Sequence, residues 1–404
     1  MEAINFGVGF FTGRANVCSI INSYYENMLT QLDKSDKKIQ LTLFVLYDLE
    51  YLNTTRTKFY NTLPEVYRDV NIRYITPELI EEEKKKITSR SDFTIEDLDL
   101  VLGNGYAKGR NTLMYYASKW NIDYMLFWDD DEYPVANVKN GKNIDWVKQN
   151  NLYEHIKNIS DCDITIGHHC GYVSPIPYVD FEEDIEEEYF KDFIGAVSND
   201  ILSWESVKEK MQLNNGFTYA DRDIANGIGL YEIERNGGGK WVAGSTLCVN
   251  LKNLRRIPAF YTPPDARGED TFFATSLDEQ KVLRVPVYHF HDCFLRYRTI
   301  MEGKYPKVLE RTENNFYIGK RFFEASLGWV RYKPLLMYIT DRENFNSNFE
   351  EVMTNLKRSV APIGKMYPDF NFKGLVEEFQ EYSDDVDKHF KEYVKTNEIW
   401  TELA

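Results

Sequence analysis

The chain has 404 residues, 43% of them hydrophobic and 15% aromatic, which is enough apolar side chain to bury a large core and argues against disorder on any large scale. A formal net charge of −16 excludes a dedicated nucleic-acid binder, which needs a clustered basic face to neutralise phosphates. The five cysteines (Cys18, Cys162, Cys170, Cys248, Cys293) are dispersed and form no CxxC pair, so neither a disulfide framework nor a zinc knuckle is expected.

A reducing cytosol is the simplest compartment. No run reaches the ~18 to 20 apolar residues that a membrane-spanning helix needs, and no basic-then-apolar leader opens the chain. Work beside a membrane is left open.

In chain order, Ile4 to Phe11 reads as a strand broken by Gly7 and Gly9, and Val17, Ile20, Ile21, Tyr24 and Met28 follow at helical spacing. Leu41 to Tyr47 is a second buried strand ending at Asp48, and Asn71 to Thr76 a third, stopped by Pro77. A helix is expected over Thr54 to Tyr67, and a helix with a solvated loop over the charged stretch Glu81 to Asp99. Leu113, Met114, Ala117 and Trp120 then mark a helix from Arg110, before a fourth strand, Tyr124 to Trp128. Such βα alternation predicts a mostly parallel sheet covered on both faces.

Beyond residue 140 the pattern loosens. Asp163 to Gly167 and Val282 to His291 read as strands, Asp180 to Glu188 as an acidic surface loop or helix start, and Trp241 to Val249 as an apolar segment after Gly237-Gly238-Gly239. From about residue 340, amphipathic helices follow, as at Leu375, Val376 and Phe379.

The strongest chemical signal is Asp129-Asp130-Asp131 at the end of the fourth strand. Three adjacent carboxylates repel unless a cation sits among them, and hard oxygen ligands in this number suit Mg²⁺ or Mn²⁺. Ligands in open α/β sheets gather at this end of the strands. Thr12-Gly13-Arg14 opens the first helix, where N–H groups and a guanidinium meet a nucleotide's base or phosphates. Asp48 is placed to accept from a nucleobase N–H, although a turn aspartate explains it too. Glu269-Asp270 opens a helix after a proline-rich loop, as a cap or as chemistry. His289 and His291 share one face of a strand, and either is a candidate metal ligand. His168-His169 lacks partners at ligand spacing and reads as an acceptor-side loop or as structure. Trp241 with Gly244-Ser245 reads as an acceptor-side loop or a plain turn.

The order Gly109-Arg110-Asn111, helix, strand, Asp129 to Asp131, then Gly268-Glu269-Asp270 and the strand bearing His289, resembles the core of the family-two glycosyltransferases. That resemblance implies a GT-A-like, Rossmann-type α/β fold: a mixed, mostly parallel sheet flanked by helices over residues 1–300 (nucleotide half 1–135, acceptor half 136–300), with a helical C-terminal region over 301–404. It implies Asp129 and Asp131 as the DxD pair, Asp131 on the metal, and Asp129 or Asp130 near the donor ribose or the metal's water shell. Asp270 becomes the general base and Glu269 its support, His289 or His291 a metal ligand, and Arg110 or Arg14 the partner of the departing diphosphate.

The implied reaction is an inverting transfer from a UDP- or GDP-type sugar to a carbohydrate or glycoconjugate hydroxyl, as in polysaccharide biosynthesis. The C-terminal helices would complete the acceptor site or mediate assembly. At residues 12–14 the chain departs from the family's usual polar-aromatic or Asn-containing turn, which leaves the base open. Two other classes stand beside this one: a sugar-phosphate nucleotidyltransferase, and a non-catalytic carbohydrate-binding protein whose acidic triplet binds Ca²⁺.

Overall fold

A computed structural model describes residues 3–172, 175–181, 183–197, 203–312 and 315–404. The first half alternates strand and helix: β1 (Ile4–Thr12), α1 (Asn16–Leu32), β2 (Ile39–Tyr47), α2 (Pro64–Asp69), β3 (Asn71–Ile75), α3 (Pro77–Thr88), α4 (Ile95–Val101), α5 (Tyr106–Lys119) and β4 (Tyr124–Phe127). The helix expected over 54–67 is instead a 3-10 turn, Arg56–Tyr60, followed by α2. Pro64 explains the break, since its fixed φ and missing N–H suit a first helical position and not an interior one. The charged stretch 81–99 divides between α3 and α4, the latter opened by a capping box in which Thr94 and Asp97 satisfy each other's backbone N–H groups.

The second half carries β5 (Glu132–Tyr133), the hairpin β6 (Val135–Asn140) and β7 (Asn143–Lys148), α6 (Asn151–Asn158), β8 (Ile164–Tyr172), α7 (Glu187–Val197), α8 (Trp204–Asn214), β9 (Phe217–Thr218), α9 (Arg222–Ala225), β10 (Tyr231–Glu232), β11 (Leu247–Asn250), α10 (Glu269–Ser276) and β12 (Val282–His291). Of the segment 241–249 only the end is strand. Of the acidic stretch 180–188, Glu182 lies outside the described residues, and α7 begins at Glu187. Helices α11 (Phe316–Thr340), α12 (Phe345–Met366), α13 (Leu375–Asp384) and α14 (Val386–Leu403) close the chain, starting well before residue 340.

The main sheet runs β10-β12-β8-β11-β4-β1-β2-β3. Strands β3, β2, β1 and β4 are mutually parallel, β11 is antiparallel to both β4 and β8, and β12 is parallel to β8. The carboxyl ends of β1, β2, β4, β8 and β12 therefore share one edge, and the residues just before β11 reach it from the other direction.

Alternation fills both faces. Leu126 and Trp128 join Phe6, Val8 and Phe10 under α1, whereas Met125 and Phe127 join Leu113 and Met114 on the α5 side. The C-terminal helices are built into these cores. Residues of α11 to α13 share a core with α7, α8 and Phe272, and Trp400 of α14 is buried with its indole N–H donating to the Ile257 carbonyl at 2.8 Å. No helix among the described residues is long and apolar enough to cross a membrane.

Candidate active site

At the shared edge lies a cavity of about 550 Å³. Its wall includes Thr12, Gly13, Arg14, Asp48, Arg110, Asp129, Asp130, Asp131, Glu269, Asp270 and His291. Of the residues singled out in the sequence for donor, metal or catalysis, only His289 is absent from it.

The loop bearing the triplet is held from behind. Trp128 is fully buried, and its indole N–H donates to the Glu132 carbonyl at 3.0 Å, closing the turn over residues 129–131. Asn16 donates to the Asp130 carbonyl at 2.6 Å, and the Asp292 N–H to the Asp131 carbonyl at 2.9 Å. With its backbone fixed at three points, the turn holds its carboxylates at the cavity without further ordering cost.

Their charges are shared with two arginines. Arg14 Nη2 lies 2.8 Å from Asp130 and 2.9 Å from Asp131, and the Thr12 hydroxyl donates to Asp130. Arg110 is buried; it donates to the Gly244 carbonyl and lies 3.4 Å from Asp129 and 3.5 Å from Glu269. Gly244 makes this approach possible, because a Cβ there would stand 2.7 Å from the guanidinium. Burial pushes Asp130 up to about 7, whereas at Asp131 burial is outweighed by the charges of Arg14 and His291 together with the Arg14 hydrogen bond, which hold it below the usual carboxylate range.

Glu269 and Asp270 open α10 after Gly268, whose φ of 90° suits glycine. Asp270 accepts the Thr271 N–H at 2.9 Å. Burial, reinforced by the charge of Asp270, pushes Glu269 up to about 7, and burial raises Asp270 as well. The pair is thus both a helix start and a titrating dyad at the cavity wall.

The two strand histidines have different environments. His289 is fully buried beside the Trp128 ring, with Nδ1 3.0 Å from Glu132 and Nε2 3.0 Å from the Asn151 amide. Both nitrogens are taken, and burial holds the ring neutral. Of the two candidate ligands read from the sequence, His289 is therefore the one the geometry disfavours: a buried ring whose nitrogens both have protein partners has no free lone pair to offer. His291 reaches the cavity; its Nδ1 donates to the Tyr172 carbonyl at 2.9 Å, which leaves Nε2 without a partner among the described residues. A backbone carbonyl on one nitrogen is the usual way to orient the other for a metal.

Replacing His289 with alanine is expected to cost about 3 kcal/mol of stability, since it leaves Glu132 Oε2 buried without its partner and opens a void beside Trp128. His291→Ala, at the cavity wall, is expected to cost less than about 1 kcal/mol. Urea unfolding of the two variants checks the contrast.

Sequence reasoning did not pick out Glu132, His169 and Ser245 as a unit. Glu132 Oε1 accepts from His169 at 2.9 Å and from Ser245 at 2.5 Å, while Oε2 faces His289. Although burial opposes it, these contacts hold Glu132 well below the usual range and raise His169. His169 and Ser245 each belonged to a motif read separately from the sequence, and the signal for Glu132 is a fourth acid directly after the triplet. Asp48 accepts the backbone N–H groups of Glu50 (2.9 Å) and Tyr51 (3.3 Å), the turn role, while lining the cavity. Trp241 donates to the Asn236 carbonyl and is not among the cavity's lining residues.

Among the described residues no group of three His, Cys, Asp or Glu side chains is gathered for a metal. Asp131, Asp129 and His291 do line the same cavity, and two carboxylates with an imidazole are donor types that Mn²⁺ accepts beside water and substrate phosphate.

No protein-family model and no curated protein matches the chain. Among solved structures, it is similar to S. aureus TarS 1–349 at 12% identity and a TM-score of 0.35, over 96% of this chain and 91% of that one. A second S. aureus TarS structure is similar at 11% identity and a TM-score of 0.33, over 96% of this chain and 55% of that one. So remote a likeness decides no residue's role.

Proposed function

We propose that the protein is a glycosyltransferase, moving a sugar from a nucleotide-diphosphate donor to a hydroxyl acceptor with a divalent cation bound at Asp131, Asp129 and His291. The observation that carries this reading is convergence: one cavity at the carboxyl edge of the sheet holds the acidic triplet, two arginines and the Glu269-Asp270 dyad, which lie far apart in sequence.

In this reading Asp270 takes the proton from the acceptor hydroxyl as its oxygen forms a bond to the anomeric carbon. The bond from that carbon to the β-phosphate oxygen breaks, and the electron pair leaves with the nucleoside diphosphate. A single displacement of this kind inverts the anomeric centre. The cation, when bound, supplies Lewis-acid neutralisation of the diphosphate charge. Arg110 and Arg14 add fixed positive charge beside it, and Glu269 stands next to Asp270 as a carboxyl whose titration is coupled to it.

A thermal-shift screen of UDP and GDP, each with and without Mn²⁺, tests the donor site. At about 100 Kd one nucleotide is expected to stabilise the fold by about 2.7 kcal/mol, and only when the metal is present. No shift with either nucleotide would sink the reading. Pyrophosphate release from NTP and sugar phosphate would replace it with nucleotidyl transfer. A product with the donor's anomeric configuration by NMR would remove inversion alone.

A further inference from the structure

The cavity does not end at the acidic residues. Past Arg14, Arg267 and Arg321, which line both spaces, it continues into a groove of about 1280 Å³ walled by the loops that follow β1 and β2, the start of α5, and α11. Eight lysines and arginines line this groove against three carboxylates, in a chain whose net charge is −16. The positive excess is therefore local and runs against the composition.

Among the described residues, Lys58, Arg267, Arg298 and Arg321 have no carboxylate within 4.0 Å. Charges left unpaired on one wall create a positive field that draws anions toward it. Tyr51, Tyr106 and Tyr317 stand in the same wall with 47%, 36% and 47% of their surface exposed. Exposed rings of this kind offer flat apolar faces with a polar edge, suited to sugar or polyol units.

A single diphosphate beside Asp131 is met by the inner cations at the junction. The outer ones, including Lys58 and Arg298, line only the groove, so a donor alone leaves them unused. We propose that the groove holds the acceptor and that the acceptor is a polyanion, a chain bearing repeated phosphate or carboxylate groups whose hydroxyl reaches Asp270. This rests on the glycosyl-transfer reading above and adds the acceptor's chemical class to it.

The test uses the full-length protein and three labelled probes: linear inorganic polyphosphate, oligogalacturonate and uncharged dextran. At least one polyanion is expected to bind, dextran to bind far more weakly, and the affinity to fall at least about tenfold as salt rises from about 50 to about 200 mM. Preference for polyphosphate or for oligogalacturonate identifies the anionic group. The double variant Lys58→Gln/Arg298→Gln is expected to weaken polyanion binding at least about tenfold. Hydrolysis of the nucleotide-sugar donor, which needs no acceptor, should be unchanged.

Dextran binding as tightly as the polyanions, or a double variant that binds them like the wild type, overturns the proposal. A double variant that raises the KM for donor hydrolysis instead assigns the groove to the donor and overturns it too. If no nucleotide sugar is hydrolysed by the wild type while polyanions still bind, the transfer reading has failed, and the acceptor role fails with it.

Discussion

Asp270→Asn is expected to lower kcat/KM by about 10²- to 10⁴-fold, the range a positioned general base contributes, while the protein stays folded. Asparagine keeps the shape of the side chain and the oxygen that accepts the Thr271 N–H at the start of α10, so the helix keeps its N-terminal partner. What is lost is the basic oxygen at the cavity wall. Donor binding, read by thermal shift, should persist, because the residues proposed to hold the diphosphate lie on other elements. Turnover within about tenfold of the wild type would remove Asp270 from the chemistry and return it to the role of a cap.

The same dyad sets the pH dependence. Burial and the neighbouring charge of Asp270 raise Glu269 to about 7, burial raises Asp270 as well, and a protonated Asp270 cannot act as the base. The wild-type rate should therefore climb at a pH above the ordinary carboxylate range of about 4. In Asp270→Asn the like charge is gone, so Glu269 titrates lower, and the rising limb of any residual activity moves to more acidic pH.

How much of this was legible in the sequence depends on the range of the forces involved. The first four strands were: β1, β2 and β4 are apolar runs largely buried on both faces, those of β2 and β4 closed by Asp48 and Asp129. The edge strand β3, with only Ile75 fully buried, was marked by Pro77 after it. The triplet was found from residue type and position, Arg110 and the catalytic reading of Glu269-Asp270 through the family resemblance, and the fold brings them to one cavity. The insertion of β11 antiparallel between β4 and β8 was not legible, since a four-residue buried strand carries no direction in its pattern. Nor was the difference between His289 and His291: they share a strand face, and what separates them is Glu132 and Asn151 on one ring and a carbonyl on the other. Arg14's grip on Asp130 and Asp131 also lay beyond reach. The triplet read as a repulsion that only a metal relieves, whereas the chain supplies part of the counter-charge itself.

That internal counter-charge makes Arg110→Met the variant with the largest expected effect on stability. Methionine fills much of the volume between the rings of Phe127 and Phe260, over which the guanidinium lies at 5.2 and 5.9 Å, so packing loss is small. The electrostatic loss is not, because Glu269 and Asp129 lose a cation at 3.5 and 3.4 Å, and Glu269 is buried beside Asp270. Breaking a buried pair by removing one partner costs about 3 to 5 kcal/mol.

The sign with pH follows from linkage. Arg110 lowers the Glu269 pKa against the burial that raises it, so its removal lifts that pKa further above the unfolded value. Stability from a carboxyl so raised is present below the unfolded pKa and is lost as pH rises through the folded one. The deficit of Arg110→Met should therefore be greatest at about pH 8.5 and shrink toward pH 6, the opposite of a simple cavity, whose cost does not titrate. Urea unfolding at both pH values decides it: an equal deficit at each would assign the loss to packing, and a deficit below about 1 kcal/mol at each would show that the buried carboxylates do not need this arginine.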